Sequence, residues 1–126
     1  MQLGVLVYLE NKEEKILMIH RKKEDEHKGL WLAPGGKVGP NEAPFETAVR
    51  EMEEETGLII KNPKLKAVLS FPDHGDSPFG DEWHVFVFYC NNFNGTLITD
   101  CPEGSLEWIH KANLYKLHCW EGDYIF

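Results

Sequence analysis

Residues 3–9 (LGVLVYL) are almost continuously apolar, the pattern of a strand buried on both faces. A polar turn, Asn11-Lys12-Glu13-Glu14, separates them from a second apolar run at 15–20 (KILMIH), so the two are predicted to pair as a hairpin. Residues 30–34 predict a short strand running into the loop Pro34-Gly35-Gly36-Lys37. From Phe45 the period changes. Phe45, Ala48, Val49 and Met52 recur at i, i+3, i+4 and i+7, an apolar stripe that turns one side of a helix to a core. Asn41 suits its N-cap, Pro44 its first turn and Gly57 its end. Residues 65–71 (LKAVLSF) and 83–89 (WHVFVFY) predict strands, the second dense in β-branched and aromatic side chains. Residues 96–99 and 106–109 predict two more strands and 111–116 a short helix. Segments 21–28, 72–81 and 91–95 carry the charge, Pro, Gly and Asn of loops and turns. The order β-β-β-α-β-β-β-α describes a mixed β-sheet flanked by helices, an α/β/α sandwich.

Composition narrows the class. A length of 126 residues predicts one domain spanning 1–126, and 42% apolar with 12% aromatic residues argues a packed core, not disorder. A net charge of −8 speaks against binding a nucleic acid polymer by bulk electrostatics. A nucleotide substrate would need that charge answered locally, and bound divalent cations would answer it. Three cysteines, Cys90, Cys101 and Cys119, show no C-x-x-C pairing, which predicts reduced thiols in a cytoplasmic protein. No apolar run is long enough to span a bilayer, so no membrane partner is expected. The six histidines show no metal-ligand spacing.

The candidate chemistry lies on the predicted helix. Glu51, Glu54 and Glu55 stand at i, i+3 and i+4, on one face within one turn. Like charges so placed repel, and a hard cation such as Mg²⁺ or Mn²⁺ would relieve them. A solvated acidic face is the competing reading. The surrounding order decides between them: Gly36, five residues, Glu42, seven residues, Arg50-Glu51-Met52, then Glu54-Glu55, Gly57 and Leu58. With each residue type near 6% usage, seven fixed positions coincide by chance on the order of once in 10⁸ tries.

This order matches G-x5-E-x7-R-E-U-x-E-E-x-G-U, and on it the chain resembles the Nudix hydrolases. The resemblance implies the Nudix fold and Mg²⁺-dependent attack of water on a phosphorus of a diphosphate linkage, with Mn²⁺ as an alternative cation. By the same resemblance Gly36, Glu51, Glu54 and Glu55 hold the metal. Glu51 is the first choice of general base, with Glu103 as a further metal or water-activating carboxylate and Glu107 its competitor. Arg50 orients the acidic side chains, and Glu42 and Gly57 support the box.

Outside the box, His20-Arg21, Gly29-Leu30-Trp31, residues 103–108 (EGSLEW) and Trp120-Glu121-Gly122-Asp123 are similar to the MutT-like group, which hydrolyses oxidised purine nucleoside triphosphates such as 8-oxo-dGTP. That likeness implies a small-molecule nucleoside triphosphate as partner. Arg21, Gly35 and Lys37 would then meet the phosphates, and Trp31, Leu32, Phe79, Trp120 and Asp123 would enclose the base. Leu32 stands where the human-type enzymes have Asn, and Gly122 where one of two Asp is expected, so the base preference is open. A terminal helix of the group would fall beyond Phe126. The same box also serves hydrolases of ADP-ribose, dinucleoside polyphosphates, pyrimidine triphosphates and capped RNA, and a non-catalytic nucleotide sensor shares the fold. Monomer and homodimer are both compatible with the sequence.

Overall fold

Strand β1 (Gln2–Leu9) has no polar interior because both of its faces are covered. Val5, Val7 and Leu9 enter one core cluster, while Leu6 and Tyr8 pack against a second. Strand β2 (Lys15–Arg21) divides in the same way, sending Leu17 and Ile19 to the first cluster and Ile16 and Met18 to the second. The computed structural model describes residues 2–21, 31–71, 82–98, 100–101 and 104–116. Of the site candidates, Phe79, Glu103, Trp120 and Asp123 lie outside them.

The predicted hairpin is closed only at its turn. Glu10 and Ile16 form an isolated bridge, and beyond it β1 and β2 part into different sheets. Each finds better-matched neighbours on both edges. In the first sheet the order is β4 (Gly35–Lys37), β1, β7 (Trp83–Cys90), β6 (Lys64–Phe71), with β1 and β7 parallel over their whole length. In the second it is β3 (Trp31–Leu32), β2, β10 (Gly104–His110), β9 (Asp100–Cys101), all antiparallel. A two-stranded ribbon, β5 (Leu58–Ile60) with β8 (Phe93–Gly95), follows the helix. Strand β8 occupies part of 91–95, which its Asn and Gly had marked as a turn. Residues 96–98 are not strand; the Ile98 amide instead caps the carbonyl of Thr56 at 2.9 Å.

Helix α1 (Pro44–Thr56) covers the first cluster with Ala48 and Met52. The 3-10 helix Lys111–Lys116 sets Leu114 against the second, so helical elements flank the strands as predicted. Its start is pinned where Lys111 reaches Glu10 at 3.2 Å and Tyr89 donates its hydroxyl to the same carboxylate at 2.6 Å. Two details of the predicted helix change. The N-cap is Ala43, not Asn41, which instead adopts a left-handed φ of 59°. Phe45 is 55% exposed, and the buried stripe takes in Thr47 and Thr56 in its place. No described helix is long and apolar enough to cross a membrane.

Candidate active site

The glycine pair forms a strand rather than the predicted loop. Gly35, Gly36 and Lys37 pair antiparallel with Leu6, Val5 and Gly4. A side chain at either glycine would displace a neighbour, backbone at Gly35 and the end of a side chain at Gly36. A Cβ on Gly35 would run into the Val5 carbonyl, and one on Gly36 would meet the two Glu51 carboxylate oxygens at 2.6 and 2.7 Å. The bare strand therefore lets α1 approach until the Glu51 carboxylate rests on the backbone of Gly36.

Helix α1 is fixed at both ends. Pro44 occupies the first turn, and the Ala43 amide donates to Glu46 Oε1 at 2.8 Å, one half of a capping box. Gly57 closes the helix at φ 79°, its amide bonded to the Glu53 carbonyl at 3.0 Å. The chain then turns straight into β5.

Between those ends Arg50 holds three carboxylates. Its Nε donates to Glu42 Oε2 at 2.8 Å and its Nη2 to Glu42 Oε1 at 3.0 Å, a two-pronged pair. Its Nη1 reaches Glu51 at 3.0 Å and Glu54 at 3.2 Å. Glu42 also accepts the Thr47 hydroxyl at 2.6 Å and the Gly39 amide at 3.1 Å. These donors, Arg50 first and Thr47 next, hold the Glu42 carboxyl at a pKa of about 2, well below its ordinary 4.5. The same contacts hold the Arg50 guanidinium still more firmly protonated.

One-face spacing brings the three helix carboxylates into one neighbourhood without bringing them to one point. Glu51 lies on Gly36, and Glu55 accepts the Gly35 amide at 3.0 Å. Glu54, 57% exposed, turns back to Arg50. Among the described residues no group of three or more His, Cys, Asp or Glu is gathered closely enough to hold a metal. The donor chemistry nonetheless fits a hard cation. Carboxylate and backbone oxygens, with no sulfur or imidazole, crowd a stretch of strand that bears no side chain.

The remaining candidates fall in different places. Lys37 ends this strand and is exposed, its carbonyl 3.5 Å from Arg50 Nη2. The Gly35 amide anchors Glu55, so it does not stand open to a phosphate. Arg21 ends β2 opposite Gly104; its side chain lies outside the described residues. Trp31 and Leu32 are consecutive in a strand and so face opposite sides. Trp31 packs on the second cluster with its ring stacked on His20 at 4.3 Å, whereas Leu32 pairs with Ile19 of the first. Only Leu32 shares the α1 side. Glu107 is exposed and pairs with Met18, on the side away from α1. Thr47 was not legible as part of this network. Its one signal was a hydroxyl beside the apolar stripe, where a buried donor must find an acceptor.

Comparisons with known proteins bear on the family of the chain. A family model described as the NUDIX domain matches residues 1–124. An ADP-ribose pyrophosphatase of Methanocaldococcus jannaschii is 40% identical over 84% of this chain and 60% of its own length. A Bacillus subtilis protein provisionally named 8-oxo-dGTP diphosphatase is 34% identical over 88% of this chain and 68% of its own. The crystal structure of the MutT protein from Bacillus halodurans superposes with a TM-score of 0.84 at 33% identity, covering 99% of this chain and 79% of that one. With the glycine strand, the box helix and its arginine-held carboxylates in place, the chain belongs to the Nudix family.

Proposed function

We propose that the protein is a divalent-metal-dependent pyrophosphohydrolase that cleaves a nucleoside triphosphate to monophosphate and pyrophosphate, acting on oxidised purine triphosphates such as 8-oxo-dGTP. The observation that carries the reaction class is the seating of Glu51 and Glu55 against Gly35-Gly36, which gathers oxygen donors suited to the cation of a diphosphate substrate beside backbone that bears no side chain. Gly36, Glu51, Glu54 and Glu55 would hold Mg²⁺ or Mn²⁺, with Glu103 as a further ligand. Once bound, the cation would neutralise phosphate charge and lower the pKa of a water molecule. Arg50 is the organiser: one planar group fixes Glu42, Glu51 and Glu54 together, and Glu54 must exchange that bond for the cation. Glu51, half-buried and held in place, serves as general base.

The substrate rests on the likeness to MutT-like proteins and on the candidates Leu32, Phe79, Trp120 and Asp123, with Arg21 and Lys37 for the phosphates. Trp31 faces the other side of β3, stacked on His20. The reading places one domain along the chain, in the cytoplasm, as a monomer or homodimer. ADP-ribose is the second reading, favoured by the 40% identity to the archaeal pyrophosphatase. The deciding experiment ranks kcat/KM for 8-oxo-dGTP, dGTP and ADP-ribose in Mg²⁺. Apolar walls alone discriminate only about 10- to 200-fold, so a larger preference for 8-oxo-dGTP supports a polar reader and this substrate. Equal values for the two triphosphates would remove it, and faster turnover of ADP-ribose would install the second reading.

A further inference from the structure

The Thr47 side chain is fully buried at the edge of the apolar stripe of α1, next to Ala48. Threonine inside a helix ordinarily bonds back to the carbonyl one turn earlier, and the Ala43 carbonyl is indeed 3.3 Å away. The hydroxyl has a single proton, and it lies much nearer a different acceptor, Glu42 Oε1 at 2.6 Å. A charged acceptor wins that competition. Glu42 precedes the helix, on the segment where Gly39 and Asn41 turn the chain, and no regular backbone pairing fixes its side chain. Two small donors, the Thr47 hydroxyl and the Gly39 amide, therefore set the rotation of the carboxylate on which Arg50 docks through Nε and Nη2.

We propose that Thr47 is a positioning residue of the hydrolase: its buried hydroxyl fixes the plane of Glu42, Glu42 fixes the guanidinium of Arg50, and Arg50 fixes Glu51 over Gly36. This rests on the reading of Glu51 as part of the reacting site. The relay runs from the core to the site surface through three successive bonds of 2.6 Å, 2.8 Å and 3.0 Å. Its weakest member is the first. Valine has the shape of threonine without the proton, and Thr47→Val would leave no buried donor unpaired, because the residue's own amide bonds the Ala43 carbonyl independently of the side chain. The variant should fold; what it lacks is the hold on Glu42.

The test compares Thr47→Val, Thr47→Ser, Glu42→Gln and the Thr47→Val/Glu42→Gln double variant on whichever nucleoside diphosphate derivative the unmodified protein hydrolyses with Mg²⁺. A hydrogen bond to a charged group, partly replaced by the remaining donors, corresponds to a loss of about tenfold. Thr47→Val should lower kcat by about that factor with KM within about twofold, and Thr47→Ser should restore most of it. In the Glu42→Gln background Thr47→Val should add less than about twofold, because the relay is already cut. Unchanged kcat in Thr47→Val, or losses that multiply in the double variant, overturn the proposal.

A readout independent of turnover separates this claim from the reaction itself. The Arg50 Nε–H resonance, protected by Glu42, should exchange faster with solvent in Thr47→Val and not in Thr47→Ser. Faster exchange in a protein that hydrolyses nothing in the panel would leave the relay standing and remove the hydrolase reading. Identical exchange in all three proteins would remove the relay.

Discussion

Glu54 and Glu55, adjacent in the chain, take different partners, Glu54 an arginine and Glu55 a backbone amide. Glu55 is held by the Gly35 amide, a bond that an uncharged amide oxygen can also accept. Glu55→Gln should therefore keep its position and lose only charge. The expected result is a kcat at least about a hundredfold lower, ~2.7 kcal/mol of transition-state stabilisation, in steady-state pyrophosphate release. Arg50→Lys replaces a planar fork that serves three carboxylates with a point charge. It should lower kcat more than it raises KM, whereas a rise in KM at constant kcat would put Arg50 on the substrate. Glu42 gives a pH signature. Its folded pKa of about 2 lies below the ordinary 4.5, so its contribution to stability is complete above about 4.5 and is lost as pH falls through about 2. Chemical denaturation across that window should show a shallower acid loss in Glu42→Gln. The identities of these residues were legible because box spacing fixes where each Cβ lies on a helix. Their orientations were not, since spacing says nothing of side-chain torsions, and Glu54 turned to Arg50 for that reason.

At the level of elements, what alternates or repeats over a long window was readable, and what is short or paired at a distance was not. The α1 stripe, the runs of β1, β2, β6 and β7, and the 3-10 helix all carry their own period or composition. Strands β5 and β8 have three residues each, too few for a period, and they pair with each other far outside any local window, Leu58 with Gly95. The hairpin expectation failed because an apolar run covered on both faces has two open edges and no local mark of who fills them. Val5 pairs with Phe86, far along the chain. Glycines give this scale its sharpest test. At Gly57 the left-handed φ of 79° and the Thr96 carbonyl, 2.7 Å from where a Cβ would lie, both oppose a side chain. Gly57→Ala should cost roughly 1–3 kcal/mol, visible in equilibrium unfolding. Gly36→Ala has no such φ and meets only the end of Glu51. Its stability loss should be smaller and its loss of kcat larger, because the displaced atoms are the carboxylate of the proposed general base.

For the whole molecule, a net charge of −8 means that a cation bound at the box relieves repulsion as well as serving the reaction. Mg²⁺ at about 100 times its Kd should add about 2.7 kcal/mol to stability, seen as a raised Tm that a chelator reverses and that Glu55→Gln blunts. The two sheets are joined by a short stretch of chain as well as by the β1–β2 turn. Residues 31–32 pair with β2, the Pro34 carbonyl accepts from Val7 at 2.8 Å, and residues 35–37 pair with β1, so within a few residues of Trp31 the chain has changed sheets. The stitch has a temporal meaning. Gly35 receives Glu55 from a strand paired to β1, while β1 pairs β7 and β2 pairs β10 across some eighty residues of chain or more, closures that are slow to form. During refolding, helix and strand signals should recover first and turnover last, so that under the proposed function hydrolysis would return only with the complete fold.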